Sequence, residues 1–204
     1  RSEIMDDEVL DLLYRSGCRA LAFAPESGSQ KILEDVSKRV DLNHMEKAVG
    51  RAVRRGLKIS CFFVIGFPTE TKETLRKTAG YILKMARLGA HDISVSKFIP
   101  YPGSALFVSL QKQGNIEIND KFFISPIDFY NRDAESYSTL SSRRLYWTMI
   151  IMYSSFYLVS ALLHPLRTLR TIYKAVFNQV EEARYAKWLV DRLFIRKSWK
   201  RRLV

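Results

Sequence analysis

Three short stretches carry residue types that could do chemistry. Pro25-Glu26-Ser27-Gly28 places a carboxylate and a hydroxyl beside a glycine. They could bond ribose hydroxyls or an amino group, while the glycine lets the backbone turn sharply. The alternative is an ordinary turn with a solvated glutamate. Ile65-Gly66-Phe67-Pro68-Thr69-Glu70-Thr71 offers Gly66, where a flat ligand could approach the backbone. Thr69 and Glu70 fall where a helix begins, and a capping role is the expected one for Glu70. Phe98-Ile99-Pro100-Tyr101-Pro102-Gly103 is a rigid loop whose aromatics could stack on a base or simply pack. A metal site made from this chain alone is not expected. Cys18 and Cys61 form no CxxC, and His44, His91 and His164 are scattered. The two cysteines read as reduced, buried thiols of a cytoplasmic protein.

The elements that must position these stretches alternate regularly. Residues 6–15 show apolar helical spacing and stop at Gly17. Residues 20–24 read as a buried strand, and Ser29 caps a short helix reaching Val36. Asn43 is the expected N-cap of a helix that runs to Arg55 and is stopped by Gly56. Residues 57–65 form a nearly all-apolar strand. A helix over 71–88 ends at Gly89, and residues 92–99 form a third strand. Strands of this kind read as buried on both faces, which predicts a parallel sheet with helices on both sides and right-handed crossovers. In parallel architectures the site lies at the carboxyl ends of the strands, where the three stretches fall.

Beyond Gly103 the character changes. A helix is expected over 105–113, then an irregular segment over 115–133 that Phe122, Phe123, Phe129 and Tyr130 anchor to the barrel. From Leu140 the chain reads as all-helical. The expected divisions are 1–113, 114–139 and 140–204. Residues 145–163 hold no charged side chain and approach the ~20 residues of a membrane span. Serines, a threonine and tyrosines within them favour a buried helix packed on the barrel, with insertion as a span and monotopic membrane contact as the alternatives.

The chain has 204 residues with 47% hydrophobic and 26% charged, values of a folded protein rather than a disordered one. The net charge is +12. Residues 165–204 carry eleven basic against three acidic residues, a net +8 that could meet phosphate in nucleic acid or on an anionic membrane. A solvated helical surface is the competing reading. The chain opens on Arg1 inside a helical pattern, and three strands do not complete a barrel. Both features lead to the expectation of a fragment of a longer protein.

Ala24-Pro25-Glu26-Ser27-Gly28-Ser29 followed by Lys38 resembles the fourth strand of radical S-adenosylmethionine (SAM) barrels, in the branch that often carries a cobalamin-binding domain. Phe63-Val64-Ile65-Gly66-Phe67-Pro68-Thr69-Glu70-Thr71 resembles the fifth-strand motif, with Thr69 where Gly is commoner. Pro100-Tyr101-Pro102-Gly103-Ser104 resembles the sixth, with Ser104 in place of Thr. The helical tail is loosely similar to that of the anaerobic magnesium-protoporphyrin ester cyclase-like group.

The resemblance implies an α/β fold: the second half of a TIM-like radical SAM barrel followed by a mainly helical C-terminal region. It implies SAM, cleaved reductively on a [4Fe–4S] cluster whose three cysteines lie outside this chain, and a cobalamin domain that also lies outside it. Glu26 and Ser27 would hold the ribose or methionine end, Ile65 and Gly66 would line the adenine pocket, and Phe98 and Ile99 would pack near the adenine. It also implies that the chain alone lacks activity. The apolar C-terminal helix and basic tail lead to the expectation of a small hydrophobic substrate, such as a tetrapyrrole or lipid, for an enzyme of the cytoplasm or its membrane. Two alternatives are a tRNA-modifying methylthiotransferase, ranked lower because no small RNA-binding β-barrel is evident, and a non-catalytic membrane or nucleic-acid binding module on a degenerate barrel.

Overall fold

A computed structural model describes residues 5–124 and 135–178. Its elements are α1 (Asp7–Arg15), β1 (Ala20–Glu26), α2 (Gln30–Asp35), α3 (Leu42–Arg54), β2 (Lys58–Ile65), α4 (Lys72–Leu88), β3 (Asp92–Lys97), α5 (Ala105–Lys112), α6 (Asp120–Ile124), α7 (Ser142–Leu163) and α8 (Pro165–Asn178). Side chains set the helix starts. The Asp6 carboxylate accepts from the amide of Val9, and Thr71 forms a reciprocal capping box with Thr74. The cap of α3 is Asp41 rather than Asn43, because its carboxylate reaches the amides of both Asn43 and His44. Ser29 precedes α2 without capping it by its side chain. Its hydroxyl instead has no hydrogen-bond partner in the structure.

The three strands pair in parallel in the order β1-β2-β3, with Ala20 opposite Lys58 and Ser60 opposite Asp92. One face carries Phe23, Ile59, Cys61, Phe63, Ile65, Ile93 and Val95, all buried in a core shared with α3, α4 and α7. The expectation of cover on both faces is corrected for the described residues. Ala22, Ser60, Phe62, Val64, Ser94 and Ser96 point to the other side and keep partial or full exposure. The physical reason lies in the alternation: Ala22, Ser60, Ser94 and Ser96 alternate with large apolar residues, and that period of two marks one buried face, with Phe62 and Val64 the apolar exceptions on the open one. In a closed barrel the open face would line the interior.

Helix α7 packs one stripe against this core: Leu145, Met149, Met152, Phe156 and Ser160. Two hydroxyls fasten it to β3. Tyr153 accepts from the Val95 amide at 2.8 Å and donates to the Val95 carbonyl at 3.3 Å, and Tyr157 donates to Asp92 at 2.5 Å. The ridge opposite the stripe, with Trp147, Ile151, Leu158 and Leu162, is exposed, so the expected buried helix is buried along one side. Arg167 secures the start of α8 by donating to the carbonyls of Gly89 and Ala90 and to the Ser160 hydroxyl.

The segment expected to be irregular holds α6. Phe122 is buried in a small separate cluster with Phe107, Leu110, Ile116 and Tyr137, whereas Phe123 is 62% exposed and anchors nothing to the sheet. The separation follows from length: α5 and α6 are short and supply a core of their own. Phe129, Tyr130 and residues 179–204, most of the basic tail, lie outside the described residues.

Candidate functional site

The first strand exit is built by a break in the ladder. Pairing runs Phe23–Cys61 and resumes at Glu26–Phe63, so Ala24 and Pro25 together face the single residue Phe62. Pro25 has no amide hydrogen to give, which suits this bulge. Glu26 then adopts a left-handed backbone (φ 65°), a conformation that disfavours any residue with a Cβ. The bulge and the left-handed turn send the two neighbouring side chains to opposite sides. The Glu26 carboxylate enters a cleft and accepts from the Lys38 ammonium at 2.7 Å. Lys38 itself follows Ser37, the other non-glycine residue with positive φ (56°) among those described.

Ser27 goes the other way. It is fully buried against α4, with its hydroxyl 3.0 Å from that of Thr78. Thr78 also accepts from the Gly28 amide at 3.1 Å, and Ser27 accepts from the Ser29 amide. Gly28 is required by contact: a Cβ there would meet the Tyr81 Cβ at 2.5 Å and the Lys77 carbonyl at 2.8 Å.

The second exit turns at Gly66 (φ 85°), where a Cβ would come within 2.6 Å of Leu145 on α7. Glu70 holds this turn. Its carboxylate is fully buried, accepts from the Gly66 amide at 3.2 Å, and accepts from the Thr74 hydroxyl at 2.5 Å. Burial raises its pKa above the ordinary glutamate value, and the bonds from Thr74, Gly66 and Phe67 only partly offset this. Glu70 therefore staples the loop, and Thr71 is the helix cap.

At the third exit the chain leaves β3 after Lys97, with the Phe98 amide still donating to the Ile65 carbonyl. The Phe98 ring lies 5.0 Å from that of Phe67 and edge-on to Tyr137. Lys97 is buried and donates to Ser142 on α7 at 2.7 Å.

The three exits share one cleft of about 370 Å³. Glu26, Val36 and Lys38 line it from the first, Val64 and Phe67 from the second, and Ser96 to Ile99 with Tyr101 from the third. One wall is apolar and aromatic, and the Glu26–Lys38 pair is its charged end. Such a cleft offers an apolar, aromatic surface beside a charged group. Of the residues expected from the sequence, Glu26, Phe98 and Ile99 line it. Ser27, Ile65 and Gly66 do not; Ile65 is buried on the helix-covered face. Sequence reasoning passed over Val64 and Phe67: Val64 follows from strand alternation about Ile65, whereas Phe67 reaches the cleft beyond the turn at Gly66. It quoted Lys38 as part of a motif without assigning it to the site.

The residues described do not hold a metal cluster. No three His, Cys, Asp or Glu side chains converge among them. Cys61 is buried on the helix side, and burial pushes its thiol up to about 12, while Cys18 donates to the Ala20 carbonyl.

Residues 1–82 match the family model described as the radical SAM superfamily. An uncharacterized methyltransferase of Pyrococcus horikoshii is 32% identical over 110 residues, 52% of this chain and 23% of that protein. A cytidylyl-2-hydroxyethylphosphonate methyltransferase of Streptomyces wedmorensis is 28% identical over 126 residues, 58% of this chain and 23% of its own length. An anaerobic magnesium-protoporphyrin IX monomethyl ester cyclase of Rubrivivax gelatinosus is 27% identical over 126 residues, 61% of this chain and 22% of that protein. The matched segment thus spans about a quarter of the length of these relatives.

Proposed function

We propose, from the match of residues 1–82 to the radical SAM superfamily model, that the cleft is one side of a SAM site. The observation that carries the proposal is the convergence of three successive strand exits on one cleft with an aromatic wall and a charged end. Phe98, Ile99 and Tyr101 would take the adenine face. Glu26 would accept from ribose hydroxyls or the methionine ammonium, and Lys38 would meet the methionine carboxylate. Ser27 serves indirectly: bonded to Thr78, it fixes the loop that aims Glu26 inward. A [4Fe–4S] cluster would supply the electron that cleaves SAM to a 5′-deoxyadenosyl radical; Cys18 and Cys61 are too few to hold it, so its three cysteines and any cobalamin domain would come from outside these 204 residues. The contribution of the present residues is to orient the nucleoside and exclude water from one side of it.

A small hydrophobic substrate, a tetrapyrrole or a lipid, is the class we favour. The activity named for the Rubrivivax relative and the apolar C-terminal helices support it. Equilibrium dialysis of labelled SAM against the 204-residue chain tests the site. Saturable binding that Glu26→Gln and Phe98→Ala each weaken about 10-fold supports it. Binding that neither substitution changes overturns it.

A further inference from the structure

Helix α8 is organised in three faces. Thr171 and Ala175, four residues apart, are buried toward the body of the protein. Leu166, Leu169, Tyr173 and Phe177 recur at helical spacing and form a second face. They are 82%, 63%, 58% and 70% exposed. Arg170 and Lys174 lie beside that ridge, one step around the helix. The apolar exposure also runs back into the end of α7 through Leu158, Leu162 and Leu163.

Ridge residues of this size are normally covered. Charge decides what covers them. From Arg143 to Asn178 there is no acidic residue, while Arg143, Arg144, Arg167, Arg170 and Lys174 are basic. Residues 179–204 add eight basic against three acidic residues, so that 165–204 carries +8. A helix with Leu, Tyr and Phe on one face and Arg and Lys along its border, with no acid, has the composition of a helix lying in the plane of an anionic bilayer. Spanning is a different matter. Helix α7 has the length and apolarity of a span. Its inner stripe, however, is committed to the core, and its Tyr153 and Tyr157 to β3.

We infer that α8, with the last turn of α7, docks this protein on the surface of an anionic membrane: the apolar ridge enters the headgroup boundary, and the basic border of the helix, Arg170 foremost, meets lipid phosphate. The inference is independent of the SAM reading. The test is co-sedimentation of the 204-residue chain with phosphatidylcholine vesicles, with and without phosphatidylglycerol. Binding is expected only with phosphatidylglycerol and weakens as salt is added. The double variant Arg170→Glu/Lys174→Glu, and separately Leu169→Ser/Phe177→Ser, each lower the partition coefficient about 10-fold or more. Equal binding to both vesicle types, no binding, or variants indistinguishable from the parent overturn the inference. So does light scattering that shows a dimer dissolved by Leu169→Ser/Phe177→Ser, since the ridge would then meet a second copy. Amide hydrogen exchange of the unmodified chain guards against variants that misfold. Phosphatidylglycerol vesicles are expected to slow exchange in α8 selectively, and the absence of such protection also overturns the inference.

Discussion

The Ser27 hydroxyl sits 3.0 Å from that of Thr78, on the opposite side of the β1 exit from the Glu26 carboxylate, which meets Lys38 in the cleft. Two adjacent polar residues thus do different work: one ties the loop to α4, the other faces the cleft. Ser27→Ala leaves the Ser29 amide without its buried acceptor and takes one contact from the Thr78 hydroxyl, which keeps the Gly28 amide and the Thr74 carbonyl. It is expected to cost about 1–3 kcal/mol of stability in urea denaturation. The affinity of the remaining folded protein for SAM should change less than with Glu26→Gln, and dialysis of both variants distinguishes the two roles.

Glu26 combines a backbone penalty with a cleft-facing charge. A left-handed L-residue costs roughly 1–2 kcal/mol, which glycine avoids at the expense of its own greater chain entropy. Glu26→Gly is therefore expected to stay within about 1 kcal/mol of the parent. Glu26→Val should fall below it, because a β-branched side chain suits this conformation least. Both lose the pairing with Lys38, a half-exposed bond of small worth to stability. Thermal denaturation gives the order.

Gly28 lies against the backbone of α4, where a methyl group would overlap the Tyr81 Cβ and the Lys77 carbonyl. Neither is the far end of a flexible side chain. Gly28→Ala should destabilise by about 1–3 kcal/mol by pushing the loop off the helix. The hydrogen bond from the Gly28 amide to Thr78 should then lengthen, and faster exchange of that amide would report it.

Burial raises the pKa of Glu70, so the folded protein holds that proton more tightly than the unfolded chain does. Between the ordinary glutamate range and the raised folded value, the native state binds more protons. Stability therefore falls as pH rises through this window. Glu70→Gln keeps an acceptor near the Gly66 amide and should flatten the dependence. Urea denaturation of both proteins as a function of pH checks the sign, and a parent curve that rises through the window would contradict it.

Cys61 is buried, and its thiol is pushed up to about 12. In the native protein at neutral pH, iodoacetamide should therefore modify Cys18 in preference to Cys61, and both should react in urea. Mass spectrometry of the alkylated chain reads the ratio directly.

Much of the α/β frame was legible from residues. Gly17, Gly56 and Gly89 fell at the turns that follow α1, α3 and α4, and the apolar runs became parallel strands. What escaped was local chemistry. Asp41 outcompeted Asn43 as a cap because its carboxylate reaches two amides. Ile65 looked like a cleft residue because it stands at the strand end. The period of two turns it under the helices and presents Val64 instead. Ser27 could not be separated from Glu26 by spacing, since the bulge and the left-handed turn that divide them depend on pairing with β2. The exposed ridge of α8 was readable only as a run of apolar and basic residues. Which side the core would claim depended on Arg167 reaching back to Gly89.

The clasp of Tyr153 on Val95 makes the sheet one-sided in how it can grow. At the outer rim of β3, a phenol occupies the amide and carbonyl that a fourth strand would need. The rim of β1 carries no such plug among the described residues. Additional strands can therefore enlist only beside β1, so the sheet has a built-in polarity of assembly, sealed where α7 crosses it and receptive at the end from which Glu26 emerges.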